Sequence, residues 1–141
     1  QMDVPFILLS VNENLFTSRK VRNPEAYFWL KTNSKLPSSP IFHLGALSFA
    51  SDLGLLATSL LPHSVNLFDT SVFAASIDHA MWFHSTDFKA DDWMLYKTES
   101  PWAGKARAYT QGSIFRRDGL LIATTTQEGL IRPNDELLAK R

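Results

Sequence analysis

Residues 41–61 read Ile-Phe-His-Leu-Gly-Ala-Leu-Ser-Phe-Ala-Ser-Asp-Leu-Gly-Leu-Leu-Ala-Thr-Ser-Leu-Leu. This apolar stretch is broken only by His43, Ser48, Ser51, Asp52 and a few small hydroxyls. Ser39 followed by Pro40 is a helix-start signal, a capping hydroxyl and then proline at the first helical position. Pro62 predicts the end. At 1.5 Å per residue, about 20 residues make a helix of roughly 30 Å. It is apolar on nearly every side, and such a helix is buried rather than laid on a surface. The polar interruptions leave no run of about 18 apolar residues, so no membrane span is expected.

Outward from this segment the pattern turns to strands. Tyr27-Phe28-Trp29-Leu30-Lys31-Thr32 is rich in β-formers and predicts a strand. Residues 1–25, with Pro5 and Pro24 as breakers, predict an irregular lead-in or linker. Beyond Pro62, strands are expected over Val72–His84 and Trp93–Thr98. Two more, Lys105–Arg117 and Leu120–Arg132, flank Asp118-Gly119, which has the chemistry of a two-residue hairpin turn. Residues 134–141 are expected to be a tail. One helix and several strands in this order are most economically arranged as α+β, a long central helix wrapped by an antiparallel β-sheet.

A hairpin closed by pairing Arg117 with Leu120 sets Thr110 opposite Gln127. One face then carries Ala106, Ala108, Thr110, Gly112 and Ile114 against Ala123, Thr125, Gln127 and Gly129. Small residues let a helix approach a sheet closely. Gln127 is the one long polar group on that stripe, and a buried amide needs partners.

The composition excludes several classes. The 141 residues suit one domain, and 45% hydrophobic with 20% charged residues excludes wholesale disorder. Fourteen basic residues balance fourteen acidic ones, so the electrostatic excess of a nucleic-acid binder is missing. With no cysteine, disulfides, a thiolate nucleophile and a cysteine zinc site are excluded. His43, His63, His79 and His84 show no metal-ligand spacing, and no metal is expected. Each reads as a packed or surface histidine. The opening residues lack a signal-peptide layout, and Gln1 suggests a piece excised from a longer chain. Ala139-Lys140-Arg141 half-resembles a peroxisomal Ser-Lys-Leu address but departs from it in the last place, leaving a peroxisomal or cytoplasmic location as the expectation.

Among candidate groups Asp52 stands out. A carboxylate buried mid-helix requires hydrogen-bond partners or a raised pKa, and either suits a general base. The plainer alternative is an exposed stripe, or a break in the helix near Gly54. Ser76 sits near Asp78 and His79, which suggests a triad, yet strand neighbours alternate faces, so adjacency alone cannot build one.

Ala50-Ser51-Asp52-Leu53, Ser76-Ile77-Asp78-His79-Ala80-Met81-Trp82-Phe83-His84, Trp93-Met94-Leu95-Tyr96 and Thr126-Gln127-Glu128-Gly129-Leu130-Ile131-Arg132 together resemble the acyl-CoA thioesterase II family, in the C-terminal half of its double hotdog. The resemblance implies a hotdog domain over residues 26–133 and hydrolysis of fatty acyl-CoA to fatty acid and CoA without a cofactor. It places the family's helix acid on Asp52, its hydroxyl on Ser76, where threonine is common, and its amide on Gln127. Together these three would hold a water that attacks the thioester. It also implies a second hotdog as partner, the chain's own N-terminal half or a homodimer mate. Two alternatives stand beside it. A hotdog hydratase would need His79 and Asp78 on one face, and a non-catalytic half would only complete a double-hotdog assembly.

Overall fold

A computed structural model of the chain describes residues 4–134; the expected tail beyond 134 and the C-terminal tripeptide lie outside the described residues. Seven strands form one antiparallel sheet: β1 (Phe6–Ser10), β2 (Glu25–Thr32), β3 (Val72–Ser76), β4 (Ala80–Phe83), β5 (Met94–Gly104), β6 (Arg107–Arg116) and β7 (Leu121–Pro133). Their order is β1-β2-β5-β6-β7-β3, with β4 also paired to β7 beyond the end of β3. Along β2, β5, β6 and β7, buried and more exposed residues alternate, so one face of the sheet is the core face. No helix among the described residues is long and apolar enough to cross a membrane.

The helical segment differs from the single buried rod expected. Helix α1 spans Pro40–Ala50 and stops at a turn, and a 3-10 helix then runs over Leu56–His63. Gly54 makes the break, with φ at +77°, a left-handed conformation that costs any other residue strain. Beyond it, side-chain hydroxyls compete for backbone carbonyls. Thr58 Oγ1 donates to the Gly54 carbonyl (3.1 Å) and Ser59 Oγ to that of Leu56 (2.7 Å). Pro62 lies inside the 3-10 segment rather than ending it.

Burial is divided unevenly between the two pieces. Leu56 to Leu61 are all buried, whereas α1 buries only His43, Leu47 and Ala50 and leaves Ile41, Phe42 and Phe49 exposed. The 3-10 helix is thus the element that lies inside the sheet. Against Leu47, Ala50, Leu55 and Leu61 pack Phe28, Leu30, Met94, Tyr96, Ile114 and Ile122.

Three further expectations are corrected. Residues 6–10, placed in an irregular lead-in, form β1 and pair with β2, and Phe6 and Leu15 belong to the core. The strand expected over Val72–His84 is two strands, β3 and β4, with residues 77–79 between them. The β6–β7 turn holds three residues, not two. Arg116 N–H bonds the Leu120 carbonyl (2.8 Å), Gly119 adopts φ +95°, and a bulge between Ile114 and Phe115 restores the register. With that correction Thr110 does face Gln127. The small-residue stripe holds for Ala108, Thr110, Gly112, Ala123, Thr125 and Gly129, all buried, but not for exposed Ala106.

Two glycines of the stripe touch different kinds of neighbour. A methyl group on Gly112 would meet the Tyr96 ring and lie 2.9 Å from Thr125 Oγ1. Tyr96 cannot move aside, because its hydroxyl donates to the Ser51 carbonyl (2.5 Å) and pairs with Thr125 Oγ1 (3.1 Å). On Gly129 the three nearest neighbours of the methyl would all be Leu56 side-chain carbons, which no hydrogen bond pins and which can change rotamer. Gly112→Ala is expected to lower stability by about 1–3 kcal/mol in urea unfolding, the range for overpacking a core. Gly129→Ala should cost clearly less. Equal losses would show that the Tyr96 ring is not pinned.

Candidate active site

Asp52 lies in the turn between α1 and the 3-10 helix, Ser76 at the last position of β3, and Gln127 midway along β7. Strand alternation points Gln127 inward, where it is 1% exposed. Its Nε2 donates to Asp52 Oδ1 at 2.6 Å and to Ser76 Oγ at 2.9 Å. The acid, the hydroxyl and the amide singled out in the sequence therefore converge on one nitrogen atom. Asp52 itself is exposed, contrary to the burial expected mid-helix, because the chain has already left α1. Its need for partners is met by geometry at the protein surface rather than by an interior network.

The turn that carries Asp52 is held from below. The preceding Ser51 is fully buried, its carbonyl accepts the Tyr96 hydroxyl, and its own Oγ donates to the Ser48 carbonyl (2.7 Å). Burial pushes the Tyr96 phenol well above its ordinary pKa, with the nearby charge of Asp52 adding to the effect, so the phenol stays a neutral donor.

Sequence reasoning missed His79. Strand alternation puts residues 76 and 79 on opposite faces, yet both reach the site. The cause is a one-residue bulge. Ser76 pairs with Gly129 and Ala80 with Thr126, so three residues, 77–79, oppose two on β7. The backbone N–H groups of Ile77 and Asp78 both point at the Glu128 carbonyl, at 2.8 and 3.4 Å. The extra residue shifts the phase of alternation, and His79 Nδ1 comes to 3.3 Å from Gln127 Nε2 while its Nε2 lies 2.8 Å from Ser51 Oγ. Asp78 turns away, its Oδ1 accepting the Glu128 N–H at 2.7 Å. A signal for the bulge was available in Asp78, whose short acceptor side chain suits a local backbone bond that competes with the ladder.

Asp52, Ser76, Ile77, Asp78, His79 and Gln127 line one open cleft. Ile77, about half exposed, lines the cleft, whereas Phe73 and Trp82, opposite Arg132 and Thr124 on β7, project from the outer face of the sheet, where Trp82 stands with Lys97, Gln111 and Thr126. Among the described residues no group of three His, Asp or Glu side chains is placed to hold a metal ion.

In chemical terms, the cleft offers a carboxylate oxygen, Asp52 Oδ2, without a partner among the described residues, and a hydroxyl, Ser76, whose oxygen already accepts a bond. The hydroxyl proton is left to donate outward. Gln127 Oε1 is buried and has no partner among the described residues.

Known proteins resemble this chain along most of its length. The sequence profile of the acyl-CoA thioesterase family matches residues 9–130. Acyl-coenzyme A thioesterase 8 of Mus musculus is 41% identical over 135 residues, covering 92% of this chain and 40% of that protein. The acyl-CoA thioesterase II of Mycobacterium marinum superposes with a TM-score of 0.78 at 36% identity, covering 94% of this chain and 50% of that one. A protein from Alicyclobacillus acidocaldarius described as having a hot dog fold superposes at 0.62 with 14% identity, over 91% of this chain and 46% of its own, a likeness of fold alone. The fold is thus the α+β hotdog, and the chain spans about 40% of the length of the curated relatives it matches. With the profile spanning β1 to β7 and this identity along nearly the whole chain, the protein belongs to the acyl-CoA thioesterase family.

Proposed function

We propose that this chain is the catalytic half of an acyl-CoA thioesterase that hydrolyses fatty acyl-CoA to free fatty acid and CoA, using a water held by Asp52, Ser76 and Gln127. The observation that carries this is the meeting of a carboxylate, a hydroxyl and an amide from three distant segments at one surface cleft, in a chain of this family.

Each group has a defined part. Gln127 spends its N–H bonds on Asp52 Oδ1 and Ser76 Oγ, fixing both. The second oxygen of Asp52 accepts a proton from water, and the Ser76 hydroxyl donates to the water oxygen, turning a lone pair toward the thioester carbonyl. The oxygen–carbon bond forms as the proton passes to Asp52. The tetrahedral intermediate then expels the CoA thiolate, which takes that proton. Water supplies the acid's new oxygen, and no acyl-enzyme forms. General base catalysis of this kind contributes about 10²–10⁴-fold.

The site faces an unpaired sheet edge. Among the described residues β3 and β4 pair only with β7, and half-exposed Ile77 lines the cleft at that edge. A second hotdog would cover this edge and close the cleft, supplied by the N-terminal half of a longer chain or by a second copy. The product assigns the reaction to fatty-acid metabolism. On the same proposal the reaction runs in the peroxisome or the cytoplasm.

Thiol release from palmitoyl-CoA tests the assignment. Asp52→Asn and Gln127→Ala are expected to lower kcat by about 10²–10⁴-fold, the loss of a general base or its positioning, and Ser76→Ala by about 10-fold, one hydrogen bond. Single turnover in ¹⁸O-water should place one label in the fatty acid, with no acylated protein in the mass spectrum. Absence of thiol release, alone and with the pairing half restored, would favour a non-catalytic half instead. Sedimentation of the isolated chain is expected at twice its 15.9 kDa mass. A monodisperse monomer would refute self-association through the β3–β4 edge.

A further inference from the structure

We propose that His79 is a positioning residue that keeps the Gln127 amide the right way round, and that Ser51 controls it by fixing the imidazole tautomer. The relay can be read proton by proton. Ser51 is fully buried and has a single hydroxyl proton, which goes to the Ser48 carbonyl at 2.7 Å. Toward His79 Nε2, at 2.8 Å, Ser51 Oγ can therefore only accept, so Nε2 carries the hydrogen. In the neutral ring Nδ1 is then a bare lone pair. That lone pair faces Gln127 Nε2 at 3.3 Å and takes a share of one of its two hydrogens, beside the shorter bonds to Asp52 and Ser76.

This matters because a primary amide has two nearly isosteric orientations. In the orientation observed, the nitrogen serves Asp52, Ser76 and His79, while Oε1 is buried without a partner among the described residues. The orphaned oxygen weighs toward the alternative, while the Asp52 carboxylate, which needs the N–H, and the amide hydrogens, which the flip would orphan in turn, weigh against it. A flipped amide would put Oε1 within reach of the Ser76 hydroxyl proton and, in the other tautomer, of a hydrogen on Nδ1. Both would satisfy the oxygen. Asp52 would then face an oxygen instead of an N–H, and Ser76 would turn its proton inward, away from a water. The Nδ1 lone pair set by Ser51 opposes that state, since it would meet Oε1 lone pair to lone pair. His79 so adds to Asp52 in holding the amide against the flip.

In part the inference rests on the hydrolytic role proposed for the same cleft, and two measurements separate the two. The first needs no activity. On the ¹⁵N-labelled chain in alkaline buffer, where imidazoles are neutral, two-bond ¹H–¹⁵N spectra should show His79 protonated at Nε2 and bare at Nδ1. Ser51→Ala should yield a tautomer mixture, and His79→Ala should abolish the solvent protection of the Gln127 amide protons. An Nδ1–H tautomer in the wild type, or unchanged protection in His79→Ala, overturns the proposal. The second measurement is kinetic, in the thioesterase assembled with its pairing half. His79→Ala should lower kcat about 10-fold with KM unchanged, one lost hydrogen bond's worth. His79→Asn, which places an acceptor oxygen where Nδ1 was, should recover most of the loss. Full activity in His79→Ala, or equal losses in the two variants, also overturns it. Should the wild type release no thiol at all, the hydrolytic role fails while the spectra still decide the tautomer.

Discussion

A primary amide nitrogen carries two hydrogens, and that of Gln127 faces three acceptors, from the turn after α1, the end of β3 and the bulge before β4. Nothing else among the described residues joins these three segments at one atom. The three acceptors share two hydrogens, so the bonds are coupled, and moving any one segment releases a hydrogen to another. Position and bonding of the cleft thus depend on a single side chain, which must be buried to hold its direction yet reach the surface to be of use.

The sheet and the helical segment meet that requirement with small residues. Ala108, Thr110, Gly112, Thr125 and Gly129 surround Gln127 on the core face, and their lack of bulk lets the helical segment lie close. Tyr96 then reaches across the core to the Ser51 carbonyl and fixes the turn from beneath. The turn exists because Gly54 enters the left-handed region. Had the helix continued unbroken, Asp52 would sit on a regular helix and Ser51 would have spent its carbonyl within the helix rather than on Tyr96. The 3-10 segment beyond retains the burial that the sequence pattern demands, and α1 is left to expose aromatic residues on the outside.

The same features explain what could be read in advance. Strand periodicity and hairpin chemistry placed Thr110 opposite Gln127 despite a wrong turn length, since the bulge at Ile114 cancels the error. Hydropathy found the buried segment but not its division, because apolar content is alike in an α-helix and a 3-10 helix while Gly54 and the hydroxyls of Thr58 and Ser59 act through the backbone. Asp52, Ser76 and Gln127 emerged from a family resemblance and from the oddity of polar groups in apolar settings. His79 did not, because alternation counts residues and an unpaired one changes the count. β1 was hidden by Pro5 immediately before it, a residue that breaks a ladder only from within.

The bulge at residues 77–79 has one more implication, for descent. The geometry of the cleft is encoded partly as parity. An odd number of residues between Ser76 and Ala80, set against an even number on β7, turns the imidazole inward. Gain of a single codon between Ser76 and His79 would leave every existing side chain in place and rotate the histidine to the far face. Substitution can tune this cleft gradually, but a change in spacing acts all at once, so lineages sharing the fold would be expected to vary the residues here far more freely than the length.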